Sequence, residues 1–440
     1  MRGKGTGAAL RFAIILMLAV ATSALVSAYT QRPDPDLSAT RLSVHEQAEQ
    51  EQIMRGRQLV LEHACSGCHG GSLTPDGPAW LMGLTESLPG NEFLIGPCVM
   101  EQGAQPCFRT RPRNLTPDNL TGLGRFSERQ IFNALRYGLR PGETPDVEIT
   151  STTPGQGNFP ASPKYLAPPM PWVAWRYMPD DDLWAIAAYL KRSVKPVRNV
   201  VEDSEGPPDF WVESYTDFLA ANPRPVPPFP AAAERTPASG SVDMDQVLRG
   251  RQVAVQHDCG ACHGGFSNPD APGYLAGVGI SPNAIEFPAG PLTEPPLSGP
   301  CSVQAAGVAC WMMRPRNLTP HATGIGGYTD RQLFNALRYG LRPSTTPDIE
   351  IKSTGPGQGN FPAEPDHLGV GMPWPAWRYM SDDDLWALIA YLRHGLKPVD
   401  NEVAASEAPP DLWAGVYTVE NIGPYPAPAF PTANEVGGRK

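Results

Sequence analysis

Cys65-Ser-Gly-Cys68-His69 and Cys259-Gly-Ala-Cys262-His263 are two instances of one spacing, Cys-x-x-Cys-His. Two thiols three positions apart, with an imidazole directly after, fit on a single helical turn. This is the attachment sequence for c-type haem. The thiols add across the two vinyl groups of the porphyrin, and the imidazole reaches the iron from one face. A thioredoxin-like redox pair has no need of a His at the next position. A zinc site needs a second ligand pair close by, and Cys98 with Cys107 lacks that spacing. The reading is therefore two covalently attached haem c groups, held by Cys65, Cys68, His69 and by Cys259, Cys262, His263.

Around each motif the same neighbours recur roughly 200 residues apart. Arg55-Gly56-Arg57-Gln58 returns at 249–252, and Arg111-Pro-Arg-Asn-Leu-Thr-Pro117 at 314–320. Phe132–Gly138 returns at 334–340, Pro154–Pro160 at 356–362, and Met170-Pro-Trp172 as Met372-Pro-Trp374. So long a period is duplication of a whole domain, not a short solenoid repeat. The domains are read as 42–230 and 243–434, joined by a linker at 231–242. Residues 205–230 are rich in Pro, but Pro207-Pro-Asp209 and Phe229-Pro230 recur after the second copy as Pro409-Pro-Asp411 and Phe430-Pro431. A pure linker need not recur there. Each tail is read as an extended strap lying on its own domain.

Apolar periodicity predicts three helices per copy: 47–64, 127–138 and 180–193, then 244–258, 329–340 and 382–394. Gly56 and Gly250 fall inside the first helix of each copy, where Gly costs about 1 kcal/mol against Ala. A cost incurred twice suggests a close helix crossing, with Tyr189 and Tyr391 as partners. The chain has 44 Gly and 51 Pro, so long irregular loops are expected, and alternation of period two is nearly absent.

A thioether as sixth ligand keeps an electron-transfer iron saturated. Each copy offers two Met residues that recur in the other, whereas Met82, Met100, Met312 and Met313 are unmatched. Ser381 can cap the helix that follows it, closing a capping box with Asp384, and Met380 and Leu385 then form a hydrophobic staple. Met178 and Leu183 echo it. Met170 and Met372 have no such helical role, and each stands in a Pro-walled loop before a Trp. They are taken as the ligands, so that the irons lie between His69 and Met170 and between His263 and Met372. Arg113 and Arg316 are read as partners of the haem propionates, with Asn114, Asn317, Trp172 and Trp374 considered beside them. His63 and His257, two residues before each first Cys, are read as packing or hydrogen-bonding groups. His45, His321, His367 and His394 have no match between copies and are read as surface residues.

With these residues in hand, the chain resembles the class I c-type cytochromes, in particular the cytochrome subunits of membrane-associated bacterial dehydrogenases for alcohols and sugar acids. The resemblance rests on the two Cys-x-x-Cys-His motifs, Asn114-Leu-Thr-Pro-Asp118, Thr121-Gly-Leu-Gly124, Met170-Pro-Trp172, Asp180-Asp-Asp-Leu183 and Ala188-Tyr-Leu190, with their second-copy counterparts. It implies a mainly α fold of two tandem cytochrome c-like domains, with long Gly/Pro-rich loops and Pro-rich straps. It also implies His/Met ligation and electron transfer. The redox partners it implies are a dehydrogenase, other cytochromes or a terminal oxidase. Subunits of that family often carry three haems, where two are read here.

Arg2, Lys4 and Arg11 precede an apolar run from Phe12 to about Leu25, and Val26-Ser27-Ala28 fits a cleavage site. Residues 1–28 are a signal peptide or an uncleaved anchor, and either places the rest in the periplasm, with possible membrane association through the N-terminus. There free thiols tend to oxidise, and repeat symmetry pairs Cys98 with Cys107 and Cys301 with Cys310. A formal charge of −10 excludes non-specific nucleic-acid binding. No nucleophile–base–acid set stands out. The alternative function is a haem enzyme acting on peroxide or a sulfur compound, which needs an open sixth position.

Overall fold

The computed structural model describes residues 44–71, 73–84, 93–95, 108–167, 170–204, 211–221, 226–280, 284, 287–289, 311–369, 371–406 and 417–437. The expected export segment at 1–28 and both expected disulfides lie outside them. In the first copy the elements are α1 (Val44–Glu62), α2 (Cys65–His69), β1 (Phe93–Ile95), β2 (Phe108–Thr110), α3 (Glu128–Tyr137), α4 (Trp172–Trp175), α5 (Asp180–Arg192) and α6 (Val212–Ala221). The second has α7 (Met244–Gln256), α8 (Cys259–His263), β3 (Phe287–Ala289), β4 (Trp311–Met313), α9 (Asp330–Tyr339), α10 (Trp374–Trp377), α11 (Asp382–Ala390) and α12 (Val419–Ile422). The fold is mostly helical. Among the described residues the strands form two antiparallel pairs, β1 with β2 and β3 with β4. No helix of the described residues is long and apolar enough to cross a membrane.

The predicted helices are present, with local reasons for their ends. Ser127 caps α3 and Thr329 caps α9, each in a full capping box with the Gln at the third position. Gly138 and Gly340 end the same helices at φ of 70° and 68°. A Cβ at either would lie within 2.2 Å of the indole of Trp172 or Trp374. Glycine is therefore needed there both for the left-handed turn and for the ring beneath it. Ser381 caps α11 as expected, accepting from Asp384 N at 3.0 Å. The carboxylate of Asp384 is instead held by Arg249 Nε at 2.6 Å. The helix expected to run to 394 is α-helical to Ala390 and continues as a π turn over Tyr391–Gly395.

Gly56 and Gly250 are crossing points, as the sequence suggested. A Cβ on Gly56 would meet Ala185 O at 1.9 Å and Tyr189 Cβ at 2.8 Å. One on Gly250 would meet Ala387 O at 1.8 Å and Tyr391 Cβ at 2.8 Å. Backbone-to-backbone contact of α1 with α5, and of α7 with α11, builds the two cores. The first holds Ile53, Leu59, Val60, Met178, Leu183 and Ile186. The second holds Val247, Val253, Met380, Leu385, Leu388 and Ile389.

The straps differ from expectation in two ways. The first contains a helix, α6, whose Tyr215 and Phe218 pack edge-on against Trp172. Beyond α6 the chain leaves its own copy. Phe229 packs on the second core, while Phe430 packs on the first. Glu435 accepts from Arg57 Nε at 2.7 Å and from Tyr189 Oη at 2.6 Å. Glu234 accepts from Arg251 Nε at 2.7 Å and from Tyr391 Oη at 2.6 Å. Both carboxylates are buried. The exchange has an electrostatic cause: α1 and α7 each bury an Arg, and a buried guanidinium requires a carboxylate and further acceptors. Those acceptors are Pro428 O for Arg57 and Pro227 O for Arg251. Glu234 lies within the stretch read as linker, and the described structure gives that residue a structural partner set. Residues from Glu51 onward form one compact unit containing both copies.

Candidate haem-binding sites

Ala64 and Asp258 adopt left-handed backbone at φ of 51° and 50°, which turns the chain out of the first helix of each copy and into a one-turn helix. That turn carries Cys65, Cys68 and His69, or Cys259, Cys262 and His263, side by side. Cys65, Cys259 and Cys262 are free thiols. Burial pushes Cys65 and Cys259 up to about 12 and raises Cys68 and Cys262 as well. A redox or nucleophilic Cys shows the reverse, a lowered value. The raised values argue against a thiolate poised for thiol–disulfide exchange.

Each His is oriented by a backbone carbonyl. His69 Nδ1 lies 2.7 Å from Arg113 O, and His263 Nδ1 lies 2.7 Å from Arg316 O. Such a bond places the proton on Nδ1 and leaves the Nε2 lone pair to a metal. Burial also lowers the pKa of both rings, favouring the neutral form that a ligand needs.

The Asn-Leu-Thr-Pro motif holds that carbonyl in place. Asn114 Oδ1 accepts from Thr116 N at 2.9 Å and Thr116 Oγ1 at 2.8 Å, while Nδ2 donates to Val197 O at 2.8 Å and Thr121 Oγ1 at 3.1 Å. Asn317 repeats the turn with Thr319 and Val399. Their hydrogen-bonding capacity is spent on that turn and on the chain after α5 and α11. The thought that they face a propionate is therefore corrected: they are positioning residues for the carbonyls of Arg113 and Arg316.

Arg113 and Arg316 reach the chain after α5 and α11. Arg113 donates to Val201 O at 2.7 Å and pairs with the exposed Asp203; Arg316 donates to Val403 O. Met170 and Met372 are half-buried and pack on the margins of the two cores. Their loops are braced. Met170 N donates to Ala167 O and Met372 N to Gly369 O, each at 2.9 Å. Buried Arg136 and Arg338 clamp the loops further on, donating to Met178 O at 2.8 Å and Met380 O at 2.7 Å and pairing with Asp180 and Asp382. Met178 and Met380 are 0% and 3% exposed, inside the cores with Leu183 and Leu385, which is the packing role read from the staple pattern. The two thiols and the oriented neutral imidazole of each motif thus fit a covalently bound haem.

Sequence reasoning missed three groupings. The Glu234 and Glu435 networks were one. Their signal was Phe-Pro-x-Ala-x-Glu, present at 229–234 and 430–435. His367 was another. It is a buried residue stacked on Trp374, with ring centroids 5.7 Å apart. Tyr165 stacks on Trp172 in the same way at 5.9 Å, so His367 does have a counterpart, of another residue type. The third is the contact of His63 with His257. Their rings stack 4.2 Å apart at 6°, and each stands edge-on to a Trp, Trp175 or Trp377.

No family model matches the chain. Curated proteins do. The fructose dehydrogenase cytochrome subunit of Gluconobacter japonicus is 23% identical over 79% of this chain and 53% of its own length. The gluconate 2-dehydrogenase cytochrome c subunit of Pantoea cypripedii is 24% identical over 84% and 66%. An alcohol dehydrogenase (quinone) cytochrome c subunit of Komagataeibacter europaeus is 26% identical over 65% and 47%. These relatives are cytochrome c subunits of dehydrogenases. The chain spans about half to two thirds of the length of these curated cytochrome subunits.

Proposed function

We propose that the chain is a dihaem electron carrier of the periplasm. It takes electrons from a dehydrogenase or quinol and delivers them to a downstream cytochrome or terminal oxidase. The observation that carries this reading is the bond from each motif His Nδ1 to a backbone carbonyl, beside the two Cys of the same turn. The likeness to cytochrome c subunits supports it. The haem-binding domains are 42–230 and 243–434 in sequence, with the tail of each, about 227–230 and 428–434, packed on the other.

When bound, haem supplies a one-electron ferrous–ferric couple. The residues proposed to hold it are Cys65, Cys68, His69 and Met170 in one domain, and Cys259, Cys262, His263 and Met372 in the other. The protein's part is to fix the imidazole plane through the carbonyls of Arg113 and Arg316 and to brace each Met loop through Arg136 and Arg338. Arg113 and Arg316 are proposed to bring positive charge near the propionates. The test is production in a host that matures c-type cytochromes, followed by pyridine haemochrome assay and intact mass. Two haems per chain, both low-spin and with a methionine-to-iron band, support the carrier. One haem or none removes the reading, and a high-spin haem favours the enzyme.

A further inference from the structure

Where the two copies meet, Glu62, His63 and His257 bring three ligand atoms within 4.8 Å of one another. These residues lie outside the Cys-x-x-Cys-His motifs and take no part in the haem reading. The Nε2 atoms of His63 and His257 are both buried without a hydrogen-bond partner. Two orphaned ring nitrogens facing one carboxylate are costly, at about 1–3 kcal/mol for each unsatisfied group. Burial lowers the pKa of both rings, so protonation does not relieve them. Glu62 Oε1 lies 3.9 Å from His257 Nε2, beyond hydrogen-bond reach. A shared acceptor of lone pairs satisfies both ring nitrogens at once, beside a Glu62 whose Oε2 already accepts from Gln58 Nε2 at 3.3 Å.

We propose that Glu62, His63 and His257 bind one divalent transition-metal ion of the zinc class. Two imidazoles and a carboxylate are a zinc donor set, with a water completing the tetrahedron. The charges around the cluster allow a cation. Arg55 and Arg249 are its nearest positive groups. Arg55 is paired with Asp182 at 2.8 Å and lies 3.8 Å from Asp384, and Arg249 is paired with Asp384 at 2.6 Å. Two cations and two anions cancel. Burial pushes the Glu62 carboxyl up to about 8, so an ion bound there displaces its proton and then meets a carboxylate. Gln256 stands in the second copy where Glu62 stands in the first, so the site has one carboxylate and not two. Parallel rings point their lone pairs side by side. Closure on an ion therefore requires one ring to rotate about Cβ–Cγ. The ligand atoms then draw together to about 3.3 Å, the separation that zinc–nitrogen bonds of about 2.0 Å impose.

The experiment uses the full chain with its haems in place. The protein is stripped with chelator and equilibrated with Zn2+, and zinc is measured against haem iron by mass spectrometry and by calorimetry. The expected result is one zinc per chain. Its affinity should fall at least tenfold in Glu62→Gln, which copies the second-copy residue. It should be lost in the double variant His63→Phe/His257→Phe, which keeps a stacked aromatic pair. Zinc uptake equal in wild type and the double variant is surface binding and overturns the proposal, as does no uptake by wild type. If the double variant does not fold, as judged by circular dichroism and the haem spectrum, wild-type stoichiometry and Glu62→Gln decide alone.

Discussion

Arg57 and Glu435, 378 positions apart in sequence, form a buried hydrogen-bonded ion pair at 2.7 Å. Their side chains are 7% and 0% exposed. Removing one partner leaves the other charged in a low-dielectric interior, a loss of about 3–5 kcal/mol. Glu435→Ala should therefore lower the urea midpoint by that equivalent, and Glu234→Ala should do the same through Arg251. A change below about 1 kcal/mol in both, the range of an exposed pair, would sink the claim that the straps hold the two halves.

Gly56→Ala and Gly250→Ala place a methyl group into a carbonyl less than 2 Å away. Backbone cannot step aside as a flexible side chain can, so each variant should lose about 3 kcal/mol or more. Thermal melts followed by far-ultraviolet dichroism read this directly. Wild-type stability in both would mean that α1 and α5 do not touch there.

The choice of axial sulfur separates cleanly by spectrum. Met170→Leu and Met372→Leu should each abolish half of the methionine-to-iron absorption band, and the double variant all of it. Met178→Leu and Met380→Leu should keep the band and lose up to about 1.5 kcal/mol of stability, as similar-volume core exchanges do. The opposite pattern would move the ligand to the second Met of each pair.

Asp384 has a lowered pKa. Burial alone would raise it, but the Arg249 hydrogen bond and the charges of Arg249 and Arg55 outweigh burial. The sign follows: the folded state favours the ionised carboxylate, so its stabilisation is complete above the ordinary aspartate value of about 4. It is lost as acid protonates the folded protein below that value. Asp384→Asn should thus be less stable than wild type at pH 7, with the two curves converging near pH 2. Parallel curves over that range would contradict the pairing.

Much of this was legible in the sequence, for local reasons. The Cys-x-x-Cys-His turns and the Gly56 and Gly250 crossings each depend on a few neighbouring residues and left their pattern in both copies. The strap exchange was not legible. Phe229 and Phe430 were visible as a repeated pair, but nothing in a linear pattern says which copy a tail will cover. The answer depends on where Arg57 and Arg251 point once α1 and α7 are packed. His367 was missed because matching by residue type hides an exchange of Tyr165 for His, although both present a flat ring to a Trp. The His63–His257 contact was hidden for a related reason: it joins two copies, and each copy read alone shows only an unexplained histidine.

The path of the last strap also sets an order of assembly. The carboxylate that neutralises Arg57 lies 378 positions downstream of it, and Phe430 fills part of the core that α1 begins. The first core therefore stays incompletely sealed until residues 430–435 have been made. Glu234 instead precedes Arg251 in the chain, so the second core has its carboxylate at hand before its guanidinium is made.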